Sequence, residues 1–81
     1  MIKIKVKCFS QVKYALGMDE IIFELENGTT ANELEQIIRE KAAGKLEGVT
    51  LSTAINRKYI SDNKELKDGD EIAFIPPVQG G

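Results

Sequence analysis

With 81 residues the chain has room for one domain and one modest core, because a chain of this size buries only about 60–65% of its unfolded surface. Its 42% hydrophobic and 30% charged residues are globular proportions and exclude a disordered chain. A formal charge of −2 argues against nucleic acid, and one cysteine with no histidine excludes a disulfide framework or a zinc site of ordinary spacing.

The chain opens on strict alternation: Ile2, Ile4, Val6 and Cys8 against Lys3, Lys5 and Lys7. This predicts a half-buried strand over residues 2–8. The lysine row reads as a solvated sheet face, and Cys8, on the inward parity, as an inert buried hydrophobe. The same stretch has no apolar signal-peptide core, and no segment reaches transmembrane length. No membrane association is expected, and a reducing cytoplasm fits the cysteine usage. Phe9 falls on the outward parity with the lysines. Ser10 is expected to cap a short helix through Leu16, with Val12, Ala15 and Leu16 on one side and Gly17 ending it.

Residues 20–25 read as a second strand, with Ile21, Phe23 and Leu25 inward and Glu20, Ile22 and Glu24 outward. The outward glutamates match the lysine row as cross-strand partners. Asn27-Gly28 is a turn. Thr30-Ala31-Asn32-Glu33 is a capping box, and Leu34, Ile37, Ile38 and Ala42 recur at helical spacing, so this is the main helix. Gly44 is expected to close it, with a loop from Gly44 to Gly48. The charges Glu33, Glu35, Arg39, Glu40 and Lys41 read as a solvated face without a site.

A third strand is predicted over residues 51–56, with Leu51, Thr53 and Ile55 on one side. Asn56-Arg57-Lys58 reads as a turn into the short strand Tyr59-Ile60, and Asp68-Gly69 as another turn. The last strand covers residues 71–75, with Ile72 and Phe74 inward and Ala73 and Ile75 outward. It is nearly all apolar, as a central strand is. Strands gathered around one amphipathic helix predict an α+β domain over residues 1–75, without repeats or linkers.

Residues 76–81 read as an extended, flexible tail. Pro76 and Pro77 stop the strand, because proline has no N–H for a sheet ladder, and they hold the exit extended. Pro77 to Gly81 can reach roughly 16 Å beyond the fold at about 3.3 Å per residue. Gly80 and Gly81 lack Cβ atoms and suit a narrow channel. The reactive group this tail offers is the α-carboxylate of Gly81. A carboxylate carries sulfur only after its oxygen becomes a leaving group, which adenylation by ATP achieves.

Leu66-Lys67-Asp68-Gly69-Asp70-Glu71-Ile72 resembles the turn before the last strand of β-grasp, ubiquitin-like proteins. Ala73-Phe74-Ile75-Pro76-Pro77-Val78-Gln79-Gly80-Gly81 resembles the ending of molybdopterin synthase small subunits. Val6-Lys7-Cys8-Phe9-Ser10-Gln11-Val12-Lys13 and Ala54-Ile55-Asn56-Arg57-Lys58-Tyr59-Ile60 fit the same family, so the resemblance spans the chain. It implies a mixed β-grasp sheet wrapped on the main helix, and a sulfur carrier in molybdenum-cofactor synthesis. It implies that Gly81 is adenylated by an activating enzyme related to ubiquitin activators, then converted to a thiocarboxylate with sulfur from a donor protein. Gly80 is its slim neighbour. Pro76, Pro77, Val78 and Gln79 then form the segment threaded into the large subunit, where cyclic pyranopterin monophosphate receives the sulfur. Phe9, Tyr59 and Ile75 map onto the family's docking surface. Gln79 departs from the family, which usually has a small Ser or Thr there.

The expected role is a sulfur-donating subunit with no catalytic set, bound cofactor or metal of its own; ATP belongs to the activating enzyme. Two related uses share the tail chemistry: a ubiquitin-like modifier joined to lysines through Gly81, and a thiamine-pathway sulfur carrier. A β-grasp binding module with an incidental tail is the alternative of another class.

Overall fold

The computed structural model describes residues 1–76. In chain order they form β1 (Ile2–Cys8), α1 (Ser10–Leu16), β2 (Glu20–Leu25), α2 (Ala31–Lys41), β3 (Ser52–Ile55), β4 (Lys58–Ile60) and β5 (Glu71–Ile75). The strands make one mixed sheet in the order β2-β1-β5-β3-β4. β1 and β5 run parallel, and the other neighbours are antiparallel. β5 lies in the middle, as its apolar run predicts.

The alternation in each strand decides which face meets the helix. Ile4 and Val6 of β1 and Ile72 and Phe74 of β5 have no exposed surface, and they share one core with Leu34 and Ile38 of α2. This is the β-grasp arrangement that the sequence resemblance implies. α2 begins where the capping box places it. Thr30 Oγ1 accepts from the Glu33 N–H at 3.3 Å, and Glu33 Oε1 accepts from the Thr30 N–H at 2.9 Å. The next two orphan donors of the helix start also find acceptors. Ala31 N–H donates to the Lys64 carbonyl at 2.8 Å, and Asn32 N–H to Asn63 Oδ1 at 2.9 Å.

Several local expectations change. Ser10 does not cap α1 but is its first residue; Phe9 holds the cap position in extended backbone, with no side-chain cap bond. The Phe9 carbonyl accepts from the Val12 N–H at 3.0 Å, and Ser10 takes a left-handed φ of 51° to turn the strand into the helix. Gly17 does end α1, at φ 72°. α2 ends at Lys41, before Gly44, and the left-handed backbone starts at Ala43 with φ 54°. β3 is trimmed to Ser52–Ile55 and β4 begins at Lys58, because Asn56 and Arg57 form the turn between them.

The early end of α2 has a physical cause in the following loop. Leu46 is buried against the core, which draws the chain back beneath the helix. Arg39 secures that return. Its guanidinium donates to the carbonyls of Leu46 and Val49, both at 2.8 Å, and to Glu35 Oε2 at 2.9 Å. Glu35 and Arg39 are therefore half-buried structural groups, not a solvated face. Arg39→Met keeps the stem and removes the donors. It should cost about 1–3 kcal/mol, with the melting temperature falling about 4–8 °C for each kcal/mol in a domain of this size. An unchanged melting curve by circular dichroism would show that the loop holds itself.

Cys8 ends β1 on the inward side, 4% exposed. Burial pushes its thiol up from the ordinary range, and the nearby Asp19 carboxylate adds to the rise. A raised value means little thiolate at neutral pH, the opposite of a reactive cysteine. It also fixes a sign. The neutral thiol's contribution to stability is complete below the ordinary thiol range and is lost as pH climbs through the raised value. Iodoacetamide should alkylate Cys8 more slowly in the native protein than in denaturant at the same pH, and Cys8→Val should fold. Equal rates in the two states would show an accessible, activated thiol.

Candidate functional site

The solvent face of the sheet is organised by cross-strand rows. Register places Glu20, Lys7, Ala73, Ala54 and Tyr59 side by side across all five strands. Two alanines occupy the middle of that row. Ala54 is only 6% exposed although it lies on the face away from α2. Longer side chains stand around them, so the small residues form the floor of a hollow of about 380 Å³. Its lining comprises Lys7, Phe9, Ala54, Arg57, Tyr59, Glu71, Ala73 and Ile75.

Phe9, Tyr59 and Ile75, chosen from the sequence, thus lie around one depression although they come from three separate parts of the chain. Phe9 is 48% exposed and Tyr59 69%, while Ile75 is half-buried. An aromatic and an aliphatic group exposed around a concave floor are the raw material of a protein-binding surface. Ala54, Ala73, Lys7, Arg57 and Glu71 carry no site signal in the sequence. Outward parity was visible for Lys7 and Ala73, but their juxtaposition with Ala54 required the pairing of β5 with both β1 and β3.

The polar rim has its own order. Lys7 Nζ lies 3.2 Å from Glu20 Oε2, the cross-strand pair that the alternating charges predict. Asn56 and Arg57 have φ of 51° and 71° and link the paired residues Ile55 and Lys58. Left-handed values at both positions belong to the tight two-residue hairpin turn. Asn56 tolerates left-handed backbone, and its side chain ties the turn to the segment entering β5. Its Nδ2 donates to Asp70 Oδ1 at 3.0 Å, and its Oδ1 accepts from the Glu71 N–H at 2.9 Å. Among the described residues the Arg57 side chain makes no such bond, and a non-glycine residue there costs on the order of 1 kcal/mol.

β5 ends at Ile75, whose side chain lines the hollow. Pro76 follows and is buried. Pro77, Val78, Gln79, Gly80 and Gly81 lie outside the described residues, and their attachment point is one residue from the hollow. Among the described residues no cluster of three or more His, Cys, Asp or Glu side chains is placed to hold a metal ion, and no helix is long and apolar enough to cross a membrane.

Comparison with known proteins shows the family. The model of the ThiS family matches residues 6–81. A molybdopterin synthase sulfur carrier subunit from Chlamydomonas reinhardtii is 40% identical, over 98% of this chain and 99% of its own length. A solved structure from Pyrococcus furiosus, whose assignment as molybdopterin converting factor subunit 1 is itself provisional, has 31% identity and a TM-score of 0.85. It covers 96% of this chain and all of its own. A second, from Helicobacter pylori, is a complex of subunits 1 and 2 of molybdopterin-converting factor. Its matching chain has 29% identity and a TM-score of 0.69, covering 99% of this chain and 100% of its own. By its sequence over nearly its whole length, and by its β-grasp architecture, the chain belongs to the ThiS family and is a relative of the molybdopterin synthase sulfur carrier subunits.

Proposed function

We propose that the chain is a sulfur carrier in molybdenum-cofactor synthesis, with Gly81 as the residue that bears the sulfur and the hollow as the surface that docks on the large subunit of molybdopterin synthase. The observation that carries this reading is the apolar hollow of Phe9, Tyr59 and Ile75 at the foot of the segment that ends in Gly80-Gly81. The similarity to sulfur carrier subunits over nearly the whole chain supports it, as does the Helicobacter complex of two subunits.

The chemistry proceeds in two substitutions. The Gly81 carboxylate oxygen attacks the α-phosphorus of ATP on an activating enzyme, and pyrophosphate leaves. Hydrosulfide from the sulfur donor then attacks the acyl carbon, AMP departs with the original oxygen, and the S–H proton is lost to solvent. The result is a thiocarboxylate, a soft nucleophile at neutral pH. Pro76, Pro77, Val78 and Gln79 carry it into the large subunit, where it attacks cyclic pyranopterin monophosphate. The first step needs a carboxylate that can reach the phosphorus and the second an acyl carbon that nothing shields, and Gly81 and Gly80 suit both. ATP and the groups that activate it reside on the activating enzyme, and the carrier supplies the terminus and its placement.

Incubation with ATP, the activating enzyme and a sulfur source should raise the intact mass by the difference between sulfur and oxygen, localised to the C-terminal peptide. Deleting Gly81 shortens the reach by about 3.3 Å, and misplacement of about 1 Å already costs about a hundredfold in rate. The deletion, an extension beyond Gly81 and Gly81→Val should therefore abolish transfer while the domain stays folded. Lysine adducts formed through Gly81 in place of transfer would assign the chain to the modifiers. An unchanged mass under conditions that charge a known carrier would remove both uses.

Docking has a separate test. Ile75→Lys puts a cation in the apolar wall without touching the core. It should leave the melting curve intact and weaken association with the large subunit by more than about tenfold, the scale of a central anchor residue. Unchanged binding with an intact fold would show that the hollow is not the docking surface.

A further inference from the structure

We infer that Arg57 is the specificity-determining charge of the hollow, pairing with a carboxylate that the large subunit presents beside the apolar group it seats against Phe9, Tyr59 and Ile75. The inference rests on the docking role proposed above and adds the chemistry of the partner's surface. The rim carries two cations. Lys7 is held by Glu20 at 3.2 Å, whereas among the described residues Arg57 has no carboxylate within salt-bridge distance. Of the two, Arg57 is the one left to meet an incoming anion.

Its placement is fixed by the fold. The Asn56–Arg57 turn is tied down on the Asn56 side by bonds to Asp70 and Glu71, and Asp70 Oδ2 accepts in turn from the Lys67 N–H at 2.8 Å. The backbone that bears Arg57 is thus pinned to the segment leading into β5. Arg57 itself sits at φ 71°, where glycine would be less strained. Strained backbone at the edge of a binding surface points to a side chain kept for what it contacts. The whole chain is net negative at −2, and Lys3 and Lys5 share the solvent face of the sheet but do not line the hollow, so among the described residues Arg57 is the unpaired cation that a carboxylate meets beside the apolar anchors. A guanidinium beside apolar anchors gives that carboxylate one favourable location and so selects register.

Association with the purified large subunit should be followed by stopped-flow at low and high salt, using the full chain. Wild-type association should slow as salt rises. Arg57→Gln should slow association roughly threefold to tenfold at low salt and flatten its salt dependence, as loss of a steering rim charge does. Arg57→Glu should be slower still, and Arg57→Lys should retain most of the wild-type rate. Dissociation should change less than in Ile75→Lys. Arg57→Gly separates binding from folding: it relieves the left-handed strain, so the domain should melt at the wild-type temperature or above while association slows as in Arg57→Gln.

If Arg57→Gln and Arg57→Gly match wild type in rate and salt dependence, the inference is overturned and the docking role stands. A lower melting temperature in Arg57→Gly would make Arg57 a structural residue and overturn it as well. A dimer of this chain that Arg57→Glu dissociates would move the pairing to a second copy, again against the inference. If folded wild type does not bind the large subunit at all, the docking role and the inference fall together.

Discussion

The parallel pairing of β1 with β5 is the constraint on which the rest depends. It joins the two ends of the described chain, with Cys8 opposite Phe74 and Val6 opposite Ile72. Contacts of such long sequence separation are entropically expensive, because the intervening loop must close before they form. The turn before β5 sets their register. Asp68 Oδ1 accepts from the Lys3 N–H at 2.7 Å, Gly69 N–H donates to the Lys3 carbonyl at 2.8 Å, and Lys5 N–H donates to the Asp70 carbonyl at 3.1 Å. Gly69 is at φ 87°, where the turn needs a residue without a Cβ. A slip of one residue there would reverse every side chain of β5 and carry Ile75 into the core.

That same alternation separates folding from recognition within one strand. Ile72 and Phe74 have no exposed surface, and full burial of such a side chain stabilises by about 1.5–3 kcal/mol. Ala73 and Ile75 take the other face and line the hollow. The proposed recognition therefore uses none of the residues of the helix-facing core. The backbone takes a left-handed φ without glycine at Ser10, next to Phe9, and at the Asn56–Arg57 turn, both at the edge of the hollow, and at Ala43 after α2, away from it.

What the sequence made legible was whatever depends on near neighbours. The period of two in residues 2–8, the capping box at Thr30 and the glycine after Leu16 are local signals, and each corresponds to an observed element. Phe9, Tyr59 and Ile75 came from parity together with family resemblance, and the structure brings them around one hollow. Non-local effects were not legible. Arg39 has the spacing of a solvated helix charge, and only the return of Leu46 and Val49 beneath α2 makes it a structural donor. Ser10 has the chemistry of a cap but stands one residue too late, because the left-handed step follows Phe9. Ala54 and Ala73 carry no signal alone. They become a floor only when β3 and β1 both pair with β5.

For a carrier, the closeness of the hollow to the end of β5 has an energetic consequence. On the proposed role, docking on the hollow would turn the attack by Gly81 from a bimolecular encounter into a tethered one. The effective concentration of a tethered group is greatest when the tether's span matches the distance between sites, and it falls as the tether lengthens. The five residues from Pro77 to Gly81 give a reach of roughly 16 Å at about 3.3 Å each. A hollow at the opposite end of the sheet would use much of that reach on crossing the domain's own surface, which measures 38 Å along its longest axis. With Ile75 in the wall, almost the whole span is available to enter the partner. On the proposed docking role, the closeness of the hollow to the end of β5 has a reason of length, and a substitution that weakens the hollow would reduce the proposed sulfur transfer even with Gly81 chemically intact.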